Sequence, residues 1–361
     1  MRALDWEGGS DGAVAMVDQT ALPGTLRVLS INAVDDMVAA IQRLSVRGAP
    51  AVGVAGAFGV VLATRAFGPS GPRLDDAIAR LRRARPTAVN LARMVDRAAA
   101  RIPEGFDAVL AEALAIRDEE LAASVAMGVL GADLVLELVG PGPVRAMTIC
   151  NTGGLASVER GTALAVIQTV HERGRLAEVL ALETRPLLQG SRLTAWELAR
   201  MGAPHRLLVD SAGPFMLARG QADVVLTGAD RVAANGDTAN KVGTFSLALG
   251  ARHAGVPFIV VAPESTVDMT TPSGDSIEIE DRGAGEVVSV VGVATAPKGT
   301  NAVNPAFDIT PAGLITALVT DQRVVRPDRH ESLLPLPGAA RDQPPAGRFT
   351  TNDIPAPTRR S

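Results

Sequence analysis

After Pro141-Gly142-Pro143 the chain settles into a rhythm of short apolar runs, each followed by a helical pattern. The runs at residues 144–149, 178–182, 206–209, 223–226 and 257–261 read as strands. The segments 155–173, 191–201, 214–219 and 241–253 read as helices. Strand and helix in alternation mean βαβ crossovers, which build a parallel sheet. The strands are apolar throughout rather than alternating, as suits a sheet covered on both faces. The expected fold class is therefore α/β.

The stretch before this rhythm differs in character. Residues 1 to about 30 are mixed and rich in turn formers, consistent with a small β region. Residues 35–138 are helical in pattern, clearest over 75–85, 91–101 and 107–127, with Pro86 and Pro103 as punctuation. This gives a mainly helical N-terminal domain over residues 1–140 and a parallel-sheet domain over 141–335. Residues 336–361 are rich in Pro, Arg, Gly and Thr and are expected to be disordered. A length of 361 residues suits two such domains.

Composition narrows the function classes. The net charge of -4 offers no general field for nucleic acid or anionic membrane. With eight Phe, two Trp and no Tyr, a base-stacking surface is not expected. Cys150 is the one cysteine, so no internal disulfide forms, which fits a cytoplasmic protein. The N-terminus lacks the apolar core of a signal peptide, and the longest apolar run, 52–63, is broken by glycines and short of a membrane span.

In a parallel sheet the functional crevice lies beyond the carboxyl ends of the strands. The polar clusters of the second domain fall there: Cys150-Asn151-Thr152-Gly153, Glu183-Thr184-Arg185-Pro186, Asp210-Ser211, and Thr227-Gly228-Ala229-Asp230-Arg231. Cys150 precedes a glycine turn and a helix, a place that can lower a thiol pKa, although a lone buried cysteine is also common. Asp230 is either paired with Arg231 or a shielded acid with a raised pKa. Asn235-Gly236-Asp237 reads as a tight turn. Asn240-Lys241 is expected to open the next helix, as an ordinary cap or as a phosphate site.

Two basic turns precede helices in the N-terminal part. Arg47-Gly48-Ala49 offers a guanidinium and backbone N–H groups to a phosphate. Arg85-Pro86-Thr87 has a solvated arginine as its plain reading. Gly53, Gly56 and Gly59 recur at a spacing that signals close helix packing. There is no Walker lysine motif, no GxGxxG after a strand, no HExxH and no GxSxG elbow. The four histidines lack ligand spacing, so neither a metal nor another cofactor is expected.

Taken together, Arg47-Gly48-Ala49-Pro50-Ala51, Cys150-Asn151-Thr152-Gly153, Glu183-Thr184-Arg185-Pro186-Leu187-Leu188-Gln189-Gly190 and Gly228-Ala229-Asp230-Arg231 resemble the methylthioribose-1-phosphate isomerase family of methionine salvage. Ala234-Asn235-Gly236-Asp237, Asn240-Lys241-Val242-Gly243-Thr244 and Asn304-Pro305-Ala306-Phe307-Asp308 follow in the same order. The wider family includes regulatory subunits of a translation-initiation exchange factor and ribose-1,5-bisphosphate isomerases. The resemblance implies a Rossmann-like C-terminal domain and a homodimer acting on a sugar phosphate. It implies Cys150 and Asp230 as the catalytic pair. It implies Arg47, Gly48, Ala49, Arg85, Gln189, Asn240 and Lys241 as substrate-binding positions.

Overall fold

The computed structural model describes residues 2–85 and 89–333. The tail expected to be disordered, along with Pro86 and Thr87, lies outside the described residues.

Three antiparallel strands come first: β1 (Leu4–Glu7), β2 (Ala13–Val17) and β3 (Val28–Ile31), with β2 in the middle. Five helices follow: α1 (Val34–Gln42), α2 (Ala49–Phe67), α3 (Pro72–Arg83), α4 (Val89–Ala99) and α5 (Phe106–Val139). Residues 50–64 of α2 are all buried, so this helix is the axis of the N-terminal core. Its glycines let neighbours in: a Cβ at Gly56 would sit 2.5 Å from Leu91 Cδ1 on α4. By length and composition α2 and α5 could each cross a membrane, beyond what the 52–63 run suggested, but α2 is enclosed by its own fold.

Helix α5 joins two cores. Val109, Ala113 and Ile116 pack into the N-terminal cluster, while Met127, Ala132 and Val135 pack under the large sheet. The chain then runs β4 (Val144–Thr148), α6 (Ala163–Glu172), β5 (Leu176–Leu182), α7 (Ala195–Met201), β6 (His205–Leu208), α8 (Ala212–Ala218) and β7 (Val224–Thr227). A hairpin of β8 (Arg231–Ala233) and β9 (Thr238–Lys241) leads to α9 (Thr244–Ala254) and β10 (Phe258–Val261). Shorter strands follow: β11 (Val267–Asp268), β12 (Ser289–Val290), β13 (Val293–Ala294), β14 (Phe307–Thr310), β15 (Ala317–Val319) and β16 (Val324–Val325).

The main sheet has the order β16-β15-β10-β7-β4-β5-β6, parallel except for β16 at one edge. Side chains alternate between its faces. Ala146, Val179, Val224 and Ile259 join the cluster under α5 and α6, and Met147, Leu180, Val225 and Val260 join the one that holds Leu217 of α8 and Leu247 of α9. The protein is thus mixed α/β with a predominantly parallel sheet. From β4 the chain builds outward through β5 and β6, then returns to place β7 on the other side of β4. That reversal opens a crevice between the ends of β4 and β7.

Two expected helices change. The segment 155–173 is helical in α-geometry only from Ala163, because the chain first makes a 3-10 turn (Gly154–Ala156) and a loop. Asn240 and Lys241 do not open a helix: they end strand β9, and α9 begins at Thr244. Pairing with β14, which sets Asn240 opposite Asp308 and Lys241 opposite Phe307, extends the strand through them.

Candidate active site

Cys150 and Asp230 leave the two strands that flank the crevice. Cys150 lies two residues beyond β4, half-buried, with φ at 66°. Two hydroxyls clamp its backbone: the Cys150 N–H donates to Thr184 Oγ1 at 2.8 Å, and Thr194 Oγ1 donates to the Cys150 carbonyl at 2.6 Å. These bonds offset the strain of a left-handed non-glycine residue. Asp210 braces the adjoining loop, accepting the N–H groups of Thr184 and Arg185, each at 2.7 Å.

Asp230 lies three residues beyond β7, with its side chain exposed to the crevice it lines. The crevice walls reduce hydration of its carboxyl and raise its pKa; Lys241, Arg47 and Arg85 pull the other way without cancelling the effect. Its sequence neighbour Arg231 turns away and pairs with Asp268 at 3.7 Å. The local ion pair is therefore with another acid, and Asp230 keeps its carboxyl for the crevice.

Lys241 is buried, its Nζ donating to the Ala306 carbonyl at 2.7 Å and lying 4.8 Å from the centre of the Phe307 ring. Desolvation lowers its pKa, opposed by Cys150 and Asp230. Asn240 is also buried and donates to Thr244 Oγ1 at 3.0 Å. Asp308 accepts the N–H groups of Gly243 (2.7 Å) and Phe245 (3.1 Å) at the start of α9, and burial raises its pKa to about 6.

The N-terminal helices supply the other wall. Gly48 caps α2 with φ at 91°, and a Cβ there would lie 2.2 Å from the Ala156 carbonyl oxygen. Only glycine lets this turn pass so close to the loop after Cys150. Ala49 begins α2, so the positive end of the helix dipole faces the crevice. Arg47 donates through Nη1 to Asn151 Oδ1 (3.1 Å) and through Nη2 to the Asn151 carbonyl (2.8 Å). Arg85 also reaches the crevice rather than open solvent: desolvation lowers its pKa, with Arg282 nearby adding to the effect. Gln189 is 4% exposed, and its Oε1 has no hydrogen-bond partner among the described residues.

Two adjoining pockets share Arg47, Gly48, Cys150 and Asp230. Between them they are lined by all nine residues singled out in the sequence. They also contain groups that sequence reasoning missed. Arg282 lines the same wall, held by Glu286 at 2.5 Å. Thr152 and Ser157 bring buried hydroxyls without partners among the described residues. Thr152 stood beside Cys150 in a quoted motif, whereas Arg282 and Ser157 carry no local signal. Among the described residues no group of three or more His, Cys, Asp or Glu is placed to hold a metal ion. The chemistry on offer is one desolvated carboxyl and one thiol, ringed by cationic and N–H groups suited to an anion.

The pattern of the Initiation factor 2 subunit family matches residues 45–327. The chain belongs to that family. It is 51% identical over 327 residues to a methylthioribose-1-phosphate isomerase of Anaeromyxobacter sp. (strain K), covering 90% of this chain and 94% of that protein. It is 52% identical over 343 residues to a probable bifunctional methylthioribose-1-phosphate isomerase/methylthioribulose-1-phosphate dehydratase of Nocardia farcinica. That match takes in 93% of this chain but spans only 60% of the Nocardia protein. The crystal structure of 5-methylthioribose 1-phosphate isomerase from Pyrococcus horikoshii superposes with a TM-score of 0.82 at 37% identity, over 90% of this chain and 92% of that one. This chain therefore sits among the methylthioribose-1-phosphate isomerases of its family.

Proposed function

We propose that this chain is an aldose-ketose isomerase of methionine salvage, converting 5-methylthioribose 1-phosphate to 5-methylthioribulose 1-phosphate. The carrying observation is the meeting of Cys150 and Asp230, from adjacent strands, with a cationic wall built by a different part of the chain. Only the isomerase portion of the Nocardia name is taken up, since the chain spans nearly the whole of the single-function relative.

In this reading Arg47, Arg85, Lys241 and the N–H groups at Gly48 and Ala49 hold the phosphate, with Gln189 and Asn240 orienting the sugar. The phosphate ester caps the anomeric oxygen, so the ring needs acid assistance to open. Asp230, whose pKa its surroundings raise, donates a proton to the ring oxygen as the bond from C1 breaks. Opening leaves C1 electron-poor. Hydrogen then moves from C2 to C1 by one of two routes. The Cys150 sulfur takes the C2 proton and returns it to C1 of the resulting enediol, or the C2 hydrogen crosses to C1 with its electron pair; on either route the C2 hydroxyl gives its proton to the Asp230 carboxylate, which leaves the ketone and restores the acid.

The reading extends to a helical N-terminal domain (residues 1–140), a Rossmann-like catalytic domain (141–335) and a cytoplasmic homodimer without nucleic-acid or membrane partners. Exposed Phe215 on α8 and Phe245 and Leu249 on α9 support a second copy on that face. Turnover across 5-methylthioribose 1-phosphate, 5-deoxyribose 1-phosphate and ribose 1,5-bisphosphate tests the assignment. The first is expected to be the best substrate, and no turnover of any would leave a non-catalytic sugar-phosphate sensor. In D2O, solvent deuterium at C1 supports the Cys150 route, and full retention of the C2 hydrogen supports the hydride route or a base fully shielded from solvent.

A further inference from the structure

We infer that Glu197 is a positioning residue that aims Arg47 at the substrate by fixing the side-chain amide of Asn151; the inference rests on the isomerase reading above. Glu197 lies on α7, on the far side of the loop that follows Cys150. Its Oε2 accepts from Asn151 Nδ2 at 2.5 Å, and its Oε1 accepts the Leu155 N–H at 3.1 Å. The other end of the same amide, Oδ1, accepts from Arg47 Nη1. Arg47 and Asn151 are 104 residues apart in the chain, so nothing local holds them in register.

An asparagine amide can present either its oxygen or its nitrogen in a given direction. A carboxylate accepts and does not donate, so Glu197 binds the nitrogen end and leaves the oxygen for the guanidinium. With the amide reversed, two donors would face each other. The carboxyl does this without touching Arg47, which has no ion pair among the described residues within 4.0 Å of a carboxylate. A direct Glu–Arg pair would neutralise the guanidinium; a neutral amide between them transmits orientation and leaves the positive charge for a phosphate.

The surroundings are built for this contact. A Cβ at Gly153 would lie 2.4 Å from Glu197 Oε2, so glycine is what lets the carboxyl reach across the loop. Thr194, just before α7, accepts from Asn151 Nδ2 at 3.3 Å and donates to the Cys150 carbonyl. One short stretch of chain thereby steadies both the catalytic loop and the arginine opposite it. Burial raises the pKa of Glu197, and the hydrogen bonds from Asn151 and the Leu155 and Gly154 N–H groups partly offset this.

The test is a set of variants, Glu197→Ala, Glu197→Gln, Asn151→Ala and the Glu197→Ala/Asn151→Ala double, assayed for KM and kcat with thermal melting alongside. Glu197→Ala and Asn151→Ala are each expected to raise KM roughly tenfold, the scale of one charge-assisted hydrogen bond, with a smaller change in kcat. The double variant should match Asn151→Ala within about twofold, because both lesions break one chain of contacts. Glu197→Gln retains an acceptor oxygen for the amide and should recover most of KM. Multiplying effects in the double variant, or a lowered melting point with KM unchanged, would overturn the inference. Where Glu197→Ala does not fold, Asn151→Asp serves: it has no N–H to give Glu197, and an unchanged KM would equally overturn it. If the unaltered protein turns over no sugar phosphate, the isomerase reading fails by itself. The same cycle is then read from calorimetric binding of inorganic phosphate, with the same expected ratios.

Discussion

Replacing Asp230 with Asn separates two effects of one carboxyl. The amide has nearly the shape of the protonated acid, so the crevice keeps its volume and KM should stay within about threefold. What is lost is the proton for the ring oxygen. General acid catalysis is worth roughly 10²- to 10⁴-fold, or about 3–5 kcal/mol of barrier, and kcat should fall by that amount. Stability should move in the opposite direction. The folded pKa of Asp230 lies above its ordinary value of 3.8, because desolvation outweighs attraction to Lys241, Arg47 and Arg85. Between the unfolded and folded pKa values the folded state binds the extra proton, so stability falls as pH rises through that window. A neutral amide does not carry this cost, and Asp230→Asn should melt higher than the parent at pH 8, with the gap closing near pH 4. Steady-state kinetics with melting curves at both pH values read all of this. A kcat within tenfold of the parent would remove Asp230 from the acid role, and a lower melting point at pH 8 would refute the desolvation account.

Gly48→Ala forces a Cβ to within 2.2 Å of the Ala156 carbonyl at a φ of 91°. It should cost at least about 2 kcal/mol in urea unfolding and lower turnover as the Arg47 turn is displaced; an unchanged midpoint and kcat would contradict the packing described. Glu120, buried on α5, has its pKa raised to about 7 by desolvation, with Asp321 and Glu119 adding to it. Its folded pKa exceeds its ordinary value of 4.5, so stability declines as pH rises between the two. Glu120→Gln should flatten that decline and gain up to roughly 3 kcal/mol at pH 8; melting profiles parallel to the parent across this range would count against it.

Much of the fold was legible from patterns only a few residues long. Strands β4, β5, β6, β7 and β10 fall where continuous apolar runs stand, and the helices between them follow the spacing of their apolar residues. Because polar clusters come straight after those strands, the sheet edge carrying Cys150 and Asp230 was readable too. The tight turn at Asn235-Gly236-Asp237 was equally local, with the Asn235 and Asp237 side chains and backbone bonded to each other. The strands beyond residue 262 were missed, since most are two or three residues long and show no period.

The sequence by itself determined which residues follow the ends of β4, β5, β6 and β7 and which glycines admit close neighbours, since periodicity and turn chemistry involve residues within a few positions of one another. Tertiary structure alone decided the rest. Lys241 belongs to a strand because β14, more than sixty residues later, pairs with it. Arg85, which read as a solvated arginine, is partly desolvated because it lines the crevice beside Asp230, Lys241 and Arg282. Asp230 could have paired with Arg231; Asp268 takes that arginine, and the surrounding protein raises the pKa of the acid left behind. Glu197 carried no signal, because its contacts are with a loop more than forty residues away. Burial and pairing are sums over neighbours in space, and those neighbours are chosen by the whole fold.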